Sequence, residues 1–181
     1  DELAHVSGKA AAKMIYTIAG GVGKRRMSAD AVMRESYTWA TFAILSCEKS
    51  LEKKIRDDGG EWSAGMAVRI LDIDVTDINR HVDAEMLRTI NSIEQNHGHA
   101  GPAFVRALTA SGLHRQATAL RERVLKAARA LCGGDGADSA LVRAALPLAV
   151  LLVAGELAKS VGLLPPTTAV REAIHWAWQR F

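Results

Sequence analysis

The chain of 181 residues is poor in cysteine, proline and aromatic rings. Its two cysteines, Cys47 and Cys132, stand far apart with no CxxC spacing, which excludes a disulfide framework and a cysteine-rich zinc site. A reducing, cytoplasmic compartment is therefore expected. Four prolines and 5% aromatics sit within 49% apolar and 24% charged residues, so collagenous, fibrous and disordered classes are excluded. Neither sign of charge dominates. The 23 Lys and Arg against 20 Asp and Glu leave a net charge of +3, and any grip on a polyanion must come from local patches. Long apolar runs are also absent: the longest uncharged stretch, 144–155, contains Pro147 and falls short of the roughly 18 residues of a membrane span, so no membrane partner is expected. The start, Asp1-Glu2-Leu3-Ala4-His5, has neither Met nor a basic n-region, so no signal peptide is expected and the chain reads as a piece of something longer.

Apolar residues Leu3, Val6, Ala10, Met14, Ile15 and Ile18 recur at three- and four-residue spacing and predict an amphipathic helix over 3–19. It stops at Gly20-Gly21-Val22-Gly23 and runs into Lys24-Arg25-Arg26. Trp39 to Leu45 is a continuous apolar run that predicts a strand buried on both faces. Glu48 to Arg56 predicts a short crossover helix, and Met66 to Ile73 a second strand with Arg69 in its middle. From Asp83 onward the period is helical, over about 83–96, 102–110, 113–132, 137–163 and 167–180. The expected fold class is therefore α/β, with an α/β part over 1–110 and a helical region over 111–181.

The Gly-Lys at 23–24 invites comparison with a phosphate-binding loop, but Ile18 stands where the first glycine belongs and Arg25 replaces the magnesium-binding hydroxyl. Three cations beside glycines suit either a solvated turn or phosphate contact. His97-Gly98-His99 lacks further ligands at metal spacing and reads as a polar loop. Glu156, inside an apolar helix, is expected to form a buried hydrogen bond or ion pair. Trp176 and Trp178 are expected in the core, and Arg115, Arg121, Arg123, Lys126 and Arg129 on a solvated face.

Several segments in series carry a resemblance. They are Asp1-Glu2; Ile15-Tyr16 leading through Gly21-Val22-Gly23-Lys24 to Arg26; Trp39 before Leu45-Ser46; Glu48 with Ser50-Leu51; Ala64-Gly65 leading to Val68-Arg69 and Leu71-Asp72-Ile73; and Ala154-Gly155-Glu156-Leu157-Ala158 with Gly162-Leu163. In this order they resemble the carboxyl-terminal half of the domain-of-unknown-function nine-two-seven family of helicase-like replication ATPases. The resemblance implies the distal half of a RecA-like or AAA-like P-loop ATPase core followed by a helical carboxyl-terminal region. It also implies a part of a ring-forming, ATP-dependent DNA helicase of a mobile element.

Carried onto this sequence, the resemblance makes Asp1 the ligand of Mg²⁺ through water and Glu2 the residue orienting the water that attacks ATP. Ser46 takes the place of a γ-phosphate sensor, in a segment one residue shorter than the family pattern. Arg69 is the candidate trans-acting cation, and Lys24, Arg25 and Arg26 the candidate contacts to single-stranded or forked DNA. Implied partners are the upstream half of the same protein and further copies in a ring. The alternative class is a non-enzymatic DNA-binding or oligomerisation module. With no P-loop to cradle phosphates, this chain alone is expected to show no ATP turnover in a phosphate-release assay; measurable turnover would overturn that expectation.

Overall fold

The computed structural model describes residues 5–23, 33, 35–78 and 82–181, in two compact units divided between Asp72 and Ile73. In the first unit, α1 (Gly8–Gly20) starts at Ser7, whose hydroxyl accepts from the Ala10 N–H at 3.3 Å. It ends at Gly21, where φ is +64° and a Cβ would lie 2.6 Å from the Trp39 carbonyl oxygen, so glycine is required twice over. The chain then runs antiparallel to residues 37–39. The Gly23 N–H donates to the Tyr37 carbonyl (2.8 Å), the Trp39 N–H to the Gly21 carbonyl (2.9 Å), and the Trp39 indole Nε1 to the Ile18 carbonyl (3.0 Å).

Helices α2 (Leu51–Asp57) and α3 (Ala64–Ala67) open on Ser50 and Ser63, which cap them in the same manner as Ser7. The three helices bury Ala11, Ile15, Leu51, Ile55 and Met66 together, with Trp62 and Ile70 packed against them. Two carboxylates satisfy helix starts from a distance: Asp58 accepts from the Gly8 N–H at 2.6 Å and Asp72 from the Leu51 N–H at 3.0 Å. Burial pushes the Asp72 carboxyl above the usual carboxylate range in spite of these backbone bonds.

The second unit contains α4 (Ala84–Asn91), continued by a 3₁₀ turn at Ser92–Gln95, then α5 (Ala100–Ala110), a 3₁₀ turn at Leu113–Arg115, α6 (Ala117–Leu131), α7 (Ser139–Ser160) and α8 (Val170–Trp178). Asp138 caps α7 by accepting from the Ala140 and Leu141 N–H groups at 2.7 and 3.1 Å. Helix α7 packs on α6 and α8 through small residues: Ala128, Ala144, Ala145, Ala149 and Ala177 are buried beside Leu131, Leu148, Leu152 and Ile174. At Gly155 the approach to α8 is so close that a Cβ would stand 2.6 Å from Val170 Cγ1. Helix α7 continues through Pro147 and is long and apolar enough to cross a membrane by length and composition alone, with a mean hydropathy of 1.9 in its most apolar window, a third of it buried.

The expected α/β class is overturned. About 59% of the described residues are helical, and among them no strand or sheet occurs, so this is an all-helical fold and not a RecA-like or AAA-like core. Trp39 to Leu45 has the right residues for a buried strand but no neighbouring strand to satisfy its backbone; among the described residues it gains only the Val22–Thr38 bridge just before it. Its side chains after Trp39 stay exposed, Ile44 at 95% and Phe42 at 50%. Within Met66 to Ile73, the Ser63 cap instead starts a helical turn that drives Met66 into the helical core.

The α7–α8 crossing yields a test by double-mutant cycle. Gly155→Ala gains roughly 1 kcal/mol of helix propensity but must displace Val170, at a cost of about 1–3 kcal/mol. Urea unfolding should therefore show Gly155→Ala destabilising in the native background and stabilising in a Val170→Ala background. The same sign in both backgrounds would refute the close contact.

Candidate interaction groove

The residues singled out from sequence fall into two groups. Asp1, Glu2, Lys24, Arg25 and Arg26 lie outside the described residues. Ser46 and Arg69 lie within them, and no hydrogen bond joins the two. Ser46 belongs to an exposed irregular stretch before α2. Arg69, just past the end of α3, turns back on that helix: its Nη1 donates to the Gly65 carbonyl at 2.6 Å, and its guanidinium stands 5.2 Å from the centroid of the Tyr16 ring. The Tyr16 hydroxyl in turn lies 2.9 Å from Ser63 Oγ, so Arg69 ties the cap of α3 to α1.

Several of the other cations are held by partners, and two that are not line a groove. Arg180 forms a two-pronged pair with Asp77, its Nη2 2.9 Å from Oδ2, and lies 4.6 Å from the centre of the Trp176 ring. Lys159 donates to the Thr168 carbonyl at 2.8 Å, and Arg129 stands 3.7 Å from Asp135. Arg123 and Lys126, by contrast, make no hydrogen bond or ion pair with any described residue. Both project from α6 into a groove of about 370 Å³ whose lining comes from α6, α7 and α8.

The groove has a distinct chemistry. Leu131 and Leu152, both buried, form its apolar base with Ala127, Ala130 and Val153. Exposed Arg123 and Lys126 on one side face Arg171 and His175 of α8 on the other. One carboxylate, Glu156, enters from α7 and stands 3.7 Å from Arg171, too far for a hydrogen bond. Glu156 is thus the expected ion-pair residue, but at 37% side-chain exposure it is not buried, and such a pair contributes little. Burial raises the Cys132 thiol above its ordinary value.

The cations were visible in the sequence as a solvated stripe. What the stripe did not reveal is that Ala127 and Ala130, one turn from Arg123 and Lys126, leave room beside them, and that Arg171 and His175 share one face of α8 at i, i+4. Trp178 is half-buried and stacks on Phe181 with ring centres 5.4 Å apart, whereas Trp176 is 37% exposed under Arg180. Comparison with protein-family models, with curated proteins and with solved structures finds no match to this chain.

The Arg180 cluster sets an acid response. The Arg180 guanidinium holds the Asp77 carboxyl below the usual carboxylate range, and the Thr76 N–H and hydroxyl do the same for Asp74. A carboxyl with a lowered pKa adds stability above its unfolded value of about 3.9, and that stability is lost as pH falls through the folded value. Arg180→Gln should therefore flatten the fall in urea stability between about pH 5 and pH 2. A variant with the same acid slope as the native chain would show that the pair contributes nothing.

Proposed function

We propose that this chain is a non-enzymatic interaction module, and that its working surface is the α6–α7–α8 groove, which takes an acidic amphipathic helix. Of the two readings drawn from sequence, the ATPase reading leaned on an α/β core, and the helical fold removes that support. The interaction reading needs only a surface of fitting chemistry. One observation carries it: an apolar base of Leu131, Leu152 and Val153 lies between two cationic edges. Apolar residues at i, i+3 and i+4 of a bound helix would cover the base, while flanking carboxylates would meet Arg123, Lys126 and Arg171. A phosphodiester backbone would use the cations and leave the base wet, and single-stranded bases favour aromatic stacking surfaces, whereas His175 is the only ring lining the groove among the described residues. Free thiols at Cys47 and Cys132 are in keeping with a reducing, cytoplasmic setting for such a module.

Two variants separate the helix from DNA. Fluorescence anisotropy would be read with a labelled helical peptide carrying a Leu/Ile stripe flanked by Glu, and with a labelled single-stranded oligonucleotide. Ala130→Gln removes apolar base without changing charge, and R123E/K126E reverses one edge. Each should weaken the peptide by about tenfold or more. Peptide binding indifferent to Ala130→Gln would sink the proposal. So would an oligonucleotide that outcompetes the peptide and loses roughly 0.7 of its log–log salt slope per cation removed.

A further inference from the structure

The second unit also exposes a helix that fits this description. Every residue from Val82 to Ala100 is exposed, and α4 packs chiefly on the 3₁₀ turn that continues it. Yet α4 and that turn are strongly amphipathic: Met86, Leu87, Ile90 and Ile93 recur at helical spacing and are exposed by 42, 52, 49 and 58%. An eight-residue helix with so large an apolar face is marginal in water without something to pack against. Its charges are acidic, with Asp83, Glu85 and Glu94 against the single Arg88. The same unit thus carries both an uncovered acidic, apolar helix and a groove with an apolar base and cationic edges.

We infer that the helix and the groove are partners, and that α4 with its 3₁₀ turn docks into the α6–α7–α8 groove of a second copy of this chain. This rests on the groove reading above and names its occupant. The sizes agree. Residues 84–95 span about 20 Å at the rises of the two helix types, and the groove follows α6 from Arg123 to Leu131, about 12 Å, so two turns of α4 fill it. The charges agree as well: α4 with its turn is acidic, and the Arg123 and Lys126 edge of the groove has no carboxylate partner among the described residues. Because the donor helix and the acceptor groove are different surfaces, the contact is head-to-tail. Each copy has one of each to offer, so assembly propagates into a closed ring or an open chain according to the rotation between copies.

Light scattering across a concentration series of the full chain is the test, with circular dichroism to confirm that each variant keeps its helices. The native chain should rise above its 19.4 kDa monomer mass with concentration. R123E/K126E and E85K/E94K change exposed residues only, and each should weaken association by about tenfold or more. Mixing the two variants restores opposite charge at every contact and should restore the mass. A chain that stays monomeric at all concentrations while its groove binds the labelled acidic peptide would overturn the self-docking and leave the groove reading standing. A monomer whose groove binds no peptide would remove both. Association that survives both reversals, or a mixture that stays monomeric, would also overturn the inference.

Discussion

The close approach of α7 to its neighbours is the constraint on which the second unit depends. Alanine at Ala128, Ala144, Ala145 and Ala149 and glycine at Gly155 let the helix backbones come together, and Val170 fills the space that Gly155 leaves. Each small side chain removes little apolar surface from water, at about 0.8 kcal/mol per buried CH₂, so stability is spread over many modest contacts. Some larger residues stay outside this packing. Leu141, Val150 and Leu151 lie on the open side of α7, while the buried Leu131 and Leu152 floor a groove. The groove is thus a consequence of the packing: alanines at 127 and 130 position α6 without filling the space toward α8.

Charge is distributed according to a second rule, the need of helix ends for partners. Ser7, Ser50, Ser63, Asp83 and Asp138 cap their own helices, and Asp58 and Asp72 reach across the first unit to α1 and α2. Aspartates are therefore heavily committed to backbone. Arg69 and Arg180 are likewise absorbed, one by a carbonyl and an aromatic ring, the other by Asp77 and Trp176. Arg123 and Lys126 make no such pair, nor do Arg88, Arg106, Arg121 and Arg143 among the described residues; what sets Arg123 and Lys126 apart is the apolar groove beside them.

The helices were legible in the sequence because their signal is local. The predicted spans 83–96, 113–132 and 137–163 correspond to α4 with its turn, the Leu113–Arg115 turn with α6, and α7, each within a few residues. The strands were not legible, because an apolar run specifies burial and leaves open what buries it. Trp39 to Leu45 and Met66 to Ile73 satisfy the pattern of a central strand, but a strand exists only with a neighbour to share its backbone hydrogen bonds, and that information is not local. Ser63 was the overlooked signal, a helix cap directly before Ala64-Gly65-Met66. The groove was half legible: the cations stood out, while the alanines beside them carry no sign of chemistry until three helices are placed together.

The short ladder joining Gly21 and Gly23 to Tyr37 and Trp39 bears on how this chain tolerates change. Those hydrogen bonds, with the Trp39 indole on the Ile18 carbonyl, tie the end of α1 to residues 37–39. Any side chain at position 21 would press on the Trp39 carbonyl oxygen and so loosen all three bonds together.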